Sequence, residues 1–368
     1  MHVLLCSSYP HLPETRGGLQ TSTDELALAL LDRGCGVTVL CGRMDGRESG
    51  PSLRHDHSLG YPVVRAADPV AALAQVAADA GASVLLVQSG YSLAAMLASA
   101  LDTGRPAAVY LHNVEIHRIG GTLPPDPAIL YFANSRFTAS RWKALFGIRC
   151  HILPPVIRAD RYRVPGTGDR VLFVNPVPEK GIERVMEVAA GNPDLPFLIA
   201  ESWHVGEGWR AWLQRRFGAL PNVEWRPATV DVRELFRDSR LLLMPSVWEE
   251  AYGRTVVEAQ LNGLPVLASD RGALPATVGG EAPSWTRKVR GRCGTRRCGD
   301  SISTSPFGER LRRRQSPTLG GCWPMAPARW TKLWAFSTGT GADMSRRAVR
   351  HPGDAASVAY PVTHQFTS

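Results

Sequence analysis

Two glutamates, Glu250 and Glu258, stand in the stretch of the chain whose residue types are best suited to chemistry. Carboxylates accept hydrogen bonds from hydroxyl groups, so Glu250 in a loop and Glu258 one turn into a helix are candidate ligands for the hydroxyl groups of a bound compound. Between them, Gly253 lets the backbone approach a ligand closely. The helix opened by Thr255 presents free N–H groups that favour a phosphate. The stretch therefore predicts a site for a hydroxyl-rich, phosphorylated compound.

A second interpretation of the same residues needs no ligand. Thr255 and Glu258 also form the S/T-x-x-E pattern of a capping box, in which the two side chains satisfy backbone groups at the start of a helix. The two roles are compatible, so both stay open at this point.

Three other places put polar or small residues just after an expected strand. Lys180 closes the loop that begins at Phe173, Gly17-Gly18 follows the opening strand, and His112 follows the strand 107–111. Each has a plainer explanation, because a lone Lys is usually solvated, two glycines often make an ordinary turn, and a single His is often structural. Their shared position after strands is what makes them candidates, since ligands bind beyond the carboxyl ends of parallel strands.

Apolar runs alternate with helical stretches along most of the chain. Short strands are predicted at 2–7, 36–41, 83–87, 107–111 and 129–133, and again at 170–174, 196–200, 223–225, 241–244 and 265–268. Such alternation predicts parallel sheets wrapped by helices. Leu153-Pro154-Pro155-Val156 interrupts it, so we predict an N-terminal domain at 1–153, a linker at 154–169 and a second domain at 170–283.

The stretch 245–275 resembles the retaining glycosyltransferases of family 4, which have the two-domain GT-B fold. The resemblance rests on Glu250, Tyr252-Gly253, Glu258 and the turn Gly263-Leu264-Pro265-Val266. It implies two Rossmann-like doubly wound α/β domains that face a cleft, and it covers about residues 1–283.

The resemblance also implies roles for individual residues. The implied catalytic residues are Glu250, Lys180 and His112. The implied donor-binding residues are Gly17, Gly18, Asn175, Tyr252, Gly253, Arg254, Thr255 and Glu258. Two positions depart from the family pattern: Asn175 stands where the family usually has an arginine, and Ala276 where it commonly has a glutamate.

The implied reaction moves a sugar from a nucleoside diphosphate sugar to an acceptor hydroxyl with retention at the anomeric carbon, in polysaccharide or glycoconjugate synthesis. No cofactor is expected, and no metal, because the chain has no Asp-x-Asp motif. The expected acceptor is a glycan, a lipid-linked precursor or a small molecule. A Rossmann dehydrogenase is disfavoured, since no G-x-G-x-x-G follows a strand.

The periodicity ends near residue 283, and the last 85 residues are basic. Residues 284–368 hold 15 Lys and Arg against 4 Asp and Glu, while residues 1–283 hold 27 against 29, so the formal charge of +9 belongs to this tail. We predict a disordered, Arg/Ser/Gly/Pro-rich tail and a second domain incomplete at its C-terminus, and we interpret the change as a coding sequence read out of frame. The alternatives are a basic arm for nucleic acid or lipid headgroups, and a catalytically impaired remnant that at most binds nucleotide.

Cysteine usage and hydropathy bear on location. The seven cysteines lack paired CxxC spacing, which suggests neither a disulfide framework nor a zinc site. No apolar run approaches the roughly 20 residues of a membrane span. We expect a cytoplasmic protein that does not bind nucleic acid, with peripheral contact at the inner face of the membrane left open.

Overall fold

The computed structural model describes residues 1–44, 53–166, 168–202, 205–229 and 231–279. The predictions about the incomplete end of the second domain and about the basic tail lie outside these residues. Among the helices that the structure describes, none is long and apolar enough to span a membrane.

The N-terminal sheet has eight strands within the described residues, in the order β3-β4-β2-β1-β5-β6-β7-β8. Its strands are β1 (His2–Pro10), β2 (Gly36–Gly42), β3 (Leu53–Asp56), β4 (Val63–Ala66), β5 (Val84–Gln88), β6 (Ala107–Leu111), β7 (Leu130–Ala133) and β8 (His151–Ile152). The helices between them are α1 (Gly18–Leu31), α2 (Pro69–Asp79), α3 (Leu93–Asp102) and α4 (Arg136–Phe146). Neighbouring strands run parallel except β3, which pairs antiparallel with β4.

Both faces of this sheet are buried, which explains the unbroken apolar character of its central strands. Alternate residues of β1 enter different cores: Val3 and Leu5 pack under α1, while Leu4 and Cys6 pack with residues of α2 and α3. Each fully buried side chain of this kind contributes about 1.5–3 kcal/mol. The apolar residues that predicted these strands therefore fill the two cores on either face of the sheet.

The second sheet holds five parallel strands within the described residues, in the order β11-β10-β9-β12-β13. Its strands are β9 (Arg170–Val174), β10 (Phe197–Ala200), β11 (Val223–Arg226), β12 (Ser239–Met244) and β13 (Val266–Ala268). Its helices are α5 (Ile182–Ala190), α6 (Glu207–Phe217), α7 (Arg233–Arg237), α8 (Arg254–Leu261) and α9 (Leu274–Gly279). The predicted pair of doubly wound α/β domains is confirmed.

The strand order of each sheet reverses beside its first strand. In the N-terminal sheet the chain proceeds from β1 to β2 and β4 on one side, and then from β5 to β8 on the other. In the second sheet it proceeds from β9 to β10 and β11, and then to β12 and β13 across β9. The loops after β1 and β5, and those after β9 and β12, thus leave from the switch points where ligands bind in open α/β sheets.

Several elements escaped the sequence patterns. The hairpin of β3 and β4, the two-residue strand β8 and the short helices α7 and α9 were not predicted. β3 is short and polar, with the sequence LRHD, so it carries no apolar run. The linker segment between β8 and β9 contains a 3-10 turn, Ala159–Arg161, which contacts α1 of the N-terminal sheet through Arg161 and Asp24.

Candidate functional site

Lys180 and Glu250 come together at the switch point of the second sheet. Lys180 ends a 3-10 turn after β9, and Glu250 lies in the loop after β12. The Lys180 Nζ is 2.6 Å from the Glu250 Oε1, which also accepts a hydrogen bond of 2.7 Å from the Ser246 hydroxyl. Only 8% of Lys180 and 6% of Glu250 are exposed. The lysine is therefore not the solvated side chain that its isolated position in the sequence allowed.

The aromatic ring of Trp248 extends this pair. The Lys180 Nζ lies 4.7 Å from the centroid of the Trp248 ring, a distance at which the ring face attracts a cation. Gly181, next in the chain, has a φ of 84° and no room for a Cβ, which would lie 2.4 Å from the carbonyl oxygen of Pro245. The glycine thus lets the loop after β9 pack directly on the loop after β12 and places the ammonium beside the carboxylate.

Helix α8 begins at Arg254, with Gly253 as its N-cap at a φ of 87°. No side chain caps this helix. The capping-box interpretation of Thr255 and Glu258 is therefore wrong, because the left-handed Gly253 is the N-cap and Thr255 is the second residue of the helix. Glu258 instead pairs along the helix with Arg254, whose Nε is 3.3 Å from the Glu258 Oε1.

Arg254 is engaged in contacts that cross from α8 to the N-terminal sheet. Its guanidinium donates to the Glu25 carboxylate at 2.9 Å and to the Ser22 hydroxyl at 3.1 Å, both on α1, and to the Tyr162 hydroxyl at 2.9 Å. Arg254 is 8% exposed and Glu25 is fully buried. The predicted contact of Arg254 with the donor stays a prediction, because its described partners are protein groups.

The remaining donor-binding predictions fall around this centre. Gly17 is the N-cap of α1 with an extended φ of 178°, which any residue adopts, and a Cβ at Gly18 would lie 3.8 Å from the Arg254 side chain in ordinary contact. Backbone conformation therefore does not explain the two glycines, whereas an open approach to a ligand would. Tyr252 and Thr255 are half-buried on either side of Gly253.

Asn175 ends β9 with a φ of 65°, in the left-handed region that asparagine tolerates better than most residues. Its N–H donates to the Ala200 carbonyl oxygen at 2.9 Å, and its own carbonyl accepts from the Val177 N–H at 2.8 Å. Asn175 is 8% exposed. The asparagine that replaces the family's arginine thus fits the turn that carries Lys180, and Ala276, the other departure, is exposed in α9.

His112 follows β6, and its described hydrogen-bond partners are Gln88 and Ser89 of the N-terminal domain rather than Lys180 or Glu250. Its Nε2 is 3.0 Å from the Gln88 Oε1, and its N–H donates to the Ser89 hydroxyl at 2.9 Å. Burial lowers the pKa of His112 to about 3, with the positive charge of Arg254 acting in the same direction. The imidazole is therefore neutral at pH 7, suited to hydrogen bonding and not to donating a proton as an acid.

The N-terminal sheet reaches the loop after β12 at a second place. Ser135, the N-cap of α4, donates its hydroxyl to the carbonyl oxygen of Ala251 at 2.6 Å, and Thr138 donates to the same oxygen at 3.1 Å. Sequence reasoning missed these contacts, as it missed Glu25 and Tyr162. No local signal marked Glu25, because it ends the polar first half of α1, after Gln20, Ser22 and Asp24, where an exposed carboxylate is ordinary.

Two protein-family models match the chain. The model described as Glycosyltransferase Family 4 matches residues 16–161, and the model described as Glycosyl transferases group 1 matches residues 168–286. The first match covers the N-terminal sheet except β1, and the second covers the whole second sheet. No match was found among curated protein sequences.

Solved structures share the fold at low sequence identity. HepE of Anabaena in complex with UDP-glucose is 17% identical, with a TM-score of 0.57 over 74% of this chain and 81% of that chain. Sucrose-phosphate synthase of Thermosynechococcus elongatus is 15% identical, with a TM-score of 0.60 over 74% and 82%. WaaG, a glycosyltransferase involved in lipopolysaccharide biosynthesis, is 18% identical, with a TM-score of 0.54 over 91% and 94%. These likenesses establish the GT-B fold.

The two family models divide along the chain much as the two sheets do. The chain is a glycosyltransferase and belongs to glycosyltransferase family 4.

Proposed function

We propose that this protein transfers a sugar from a nucleoside diphosphate sugar to an acceptor hydroxyl, with retention at the anomeric carbon, in polysaccharide or glycoconjugate synthesis. The observation that supports it most is the meeting of Lys180 and Glu250 at the switch point of the second sheet, 2.6 Å apart and buried. The structure of HepE with UDP-glucose gives a precedent for such a donor on this fold.

In the proposed reaction, positive potential stabilises the departing diphosphate. Lys180 contributes its ammonium, the start of α8 after Gly253 contributes free N–H groups, and Gly17-Gly18 contributes backbone amides at the start of α1. Asn175 shapes the turn that presents Lys180. We propose that these groups act without a metal ion, so that activity is unchanged by EDTA.

Carboxylates recognise the hydroxyl groups of the donor. Glu250 accepts from hydroxyls of the transferred sugar while Lys180 and Ser246 hold its position. Glu258 accepts from the ribose, and the half-buried Tyr252 borders the same space. His112, neutral because of its burial, contributes a hydrogen bond to the sugar from the N-terminal side of the cleft.

The alternative of a catalytically impaired remnant depends on the residues after 283, which lie outside the described part of the chain. The described residues favour a working transferase, because Lys180 and Glu250, each predicted separately as catalytic, lie in contact and buried.

A thermal-shift screen with UDP-, GDP- and ADP-sugars tests the donor. A ligand present at one hundred times its Kd stabilises the native state by about 2.7 kcal/mol, which corresponds to roughly 5–10 °C for a domain of this size. Glu258→Ala should lose the shift. Glu187→Ala, which removes an exposed glutamate on α5, is the matched control and should keep it. An undiminished thermal shift in Glu258→Ala would contradict the assignment of the ribose contact to Glu258.

Proton NMR tests retention. When an α-linked donor is turned over, the first transferred product should carry the sugar in the α configuration. A β product formed first would show an inverting reaction and would contradict this part of the proposal.

A further inference from the structure

A buried ionic cluster joins the two sheets beside the proposed ribose site. Arg254 of α8 is its centre, and its guanidinium reaches Glu25 Oε2 at 2.9 Å and Glu258 Oε1 at 3.3 Å. The Tyr162 hydroxyl donates to the other oxygen of Glu25 at 2.7 Å. One guanidinium therefore holds a carboxylate of α1, from the N-terminal sheet, and a carboxylate of α8, from the second sheet.

The cluster carries one more negative than positive charge. Glu25, Glu258 and the neighbouring Asp24 contribute three carboxylates against the two guanidiniums of Arg254 and Arg161. Arg161 pairs with Asp24 and also lies 4.0 Å from the Glu25 Oε1. The Tyr162 phenol stays neutral, because burial and the nearby Glu258 raise its pKa. The other titratable groups that face Arg254 are the neutral side chains His112, Tyr110 and Tyr252.

The excess negative charge bears on the ionisation of Glu258, the residue to which the proposed function assigns the ribose contact. Burial raises the pKa of Glu258 above its ordinary value; Arg254 opposes the rise, and Glu25 adds to it. Because a protonated carboxyl accepts hydrogen bonds from hydroxyl groups less well than a carboxylate, the neighbours of Glu258 decide whether it is ready to bind ribose.

We propose that Arg254 is a positioning residue, which keeps Glu258 ionised and oriented for ribose while tying it to Glu25 of the N-terminal sheet. This inference rests on the ribose contact of the proposed function. It makes ribose recognition depend on the contact between the sheets. It also means that Arg254 affects donor binding through Glu258 and does not contact the donor phosphates directly.

Two variants with opposite expected effects test the ionisation directly and need no donor. In ¹³C NMR of glutamate-labelled full-length protein, the carboxyl signal of Glu258 is assigned by its loss in Glu258→Gln. Arg254→Gln should move its titration to higher pH, because the opposing positive charge is gone. Glu25→Gln should move it to lower pH, because the like charge is gone. Shifts in the same direction, or no shift in either variant, would overturn the proposal.

Donor binding tests the consequence. For the NDP-sugar that binds the wild-type protein, Arg254→Gln should weaken binding by a larger factor at pH 6 than at pH 9, since Glu258 without the opposing guanidinium gains a proton more readily as the pH falls. Arg254→Lys, which keeps the charge, should largely restore binding at pH 6. A loss that is equal at all pH values would overturn the proposal.

The free nucleoside of that donor separates action through Glu258 from a phosphate contact. The nucleoside has a ribose and no phosphate, so Arg254→Gln should weaken its binding by the same factor as that of the full donor. Unchanged nucleoside binding would show that Arg254 acts on the phosphates and would refute the inference. If Arg254→Gln does not fold, Glu25→Gln decides the matter, because its nucleoside binding must persist to lower pH than that of the wild type.

These outcomes are distinguishable from a failure of the proposed function. If no NDP-sugar binds the wild-type protein, the donor assignment fails, while the opposite titration shifts of Glu258 in the two variants remain measurable. If a donor binds and the shifts are absent, the proposed function stands and the role of Arg254 falls.

Discussion

Removing the charge of Lys180 should destabilise the protein as well as inactivate it. In Lys180→Met the Glu250 carboxylate stays buried beside Ser246 without the ammonium that now lies 2.6 Å away. Removing one partner of a buried ion pair costs about 3–5 kcal/mol, because the remaining charge is uncompensated. Since the side chains of Lys180 and Glu250 are only 10% and 7% exposed, solvent screening reduces this cost little.

The double variant Lys180→Met/Glu250→Gln separates the charge effect from the packing effect. It removes both charges and keeps a hydrogen-bonding group beside Ser246, so it should be more stable than Lys180→Met by about 2 kcal/mol or more. Both variants should lose activity, by about 10²–10³-fold in kcat for Lys180→Met, as when one group that stabilises a developing negative charge is removed.

Urea unfolding followed by tryptophan fluorescence measures these differences, since the Trp248 ring lies 4.7 Å from the Lys180 Nζ. Lys143→Met, at an exposed lysine on α4, is the matched control and should change the free energy of unfolding by less than about 0.5 kcal/mol. A cost below about 1 kcal/mol for Lys180→Met would mean that the pair behaves like a surface ion pair. A double variant as unstable as Lys180→Met would likewise refute the argument from charge.

Three further outcomes are expected. His112 has a folded-state pKa of about 3, below its unfolded value, so the unfolded chain binds the proton first and stability falls as pH drops from about 6.5. His112→Asn should therefore lose less unfolding free energy than the wild type between pH 7.5 and 5. An equal loss would contradict the burial of a neutral imidazole. Gly181→Ala should cost about 2 kcal/mol or more in urea unfolding, because the new Cβ meets the Pro245 carbonyl at a φ of 84°, whereas Gly208→Ala in α6, with open space around it, should be neutral or stabilising. Burial raises the pKa of Cys41 to about 12, so iodoacetamide at pH 8 should leave it unmodified in the native protein, and its labelling in peptide mass spectrometry before unfolding would show an open core.

The fold was predictable where burial leaves a local signature. β1, β6, β9 and β12 are buried on both faces, so each contains an uninterrupted run of at least four apolar residues that sequence alone identifies. The β3–β4 hairpin lacked this signature. β3 is polar, and β4 contains Arg65, which is buried against Asp56 of β3, Glu14 and the carbonyl oxygens of His11 and Leu12. The ion pair between these two strands cannot be predicted from the sequence of either short segment.

The site was predictable to the same degree. The loop after β12 and the lysine after β9 were found from their position after strands together with the resemblance to family 4, and the structure places Lys180 against Glu250. The partners of Arg254 were not found, because Glu25 lies 229 residues away along the chain and no local pattern specifies such a contact. The capping box failed for a related reason, since only the backbone of Gly253, at a φ of 87°, fixes where α8 begins.

Release of nucleoside diphosphate by the full-length chain is the most direct test of the proposed function. UDP-, GDP- and ADP-sugars are incubated with the protein in turn, with and without a hydroxyl-bearing acceptor, and the diphosphate product is followed by ³¹P NMR. We predict release from at least one donor, faster with acceptor and reduced about 100-fold or more in Lys180→Met. Release from no donor, in a preparation that one of them stabilises against heat, would show that the site binds a nucleotide sugar without transferring it and would contradict the proposed transfer.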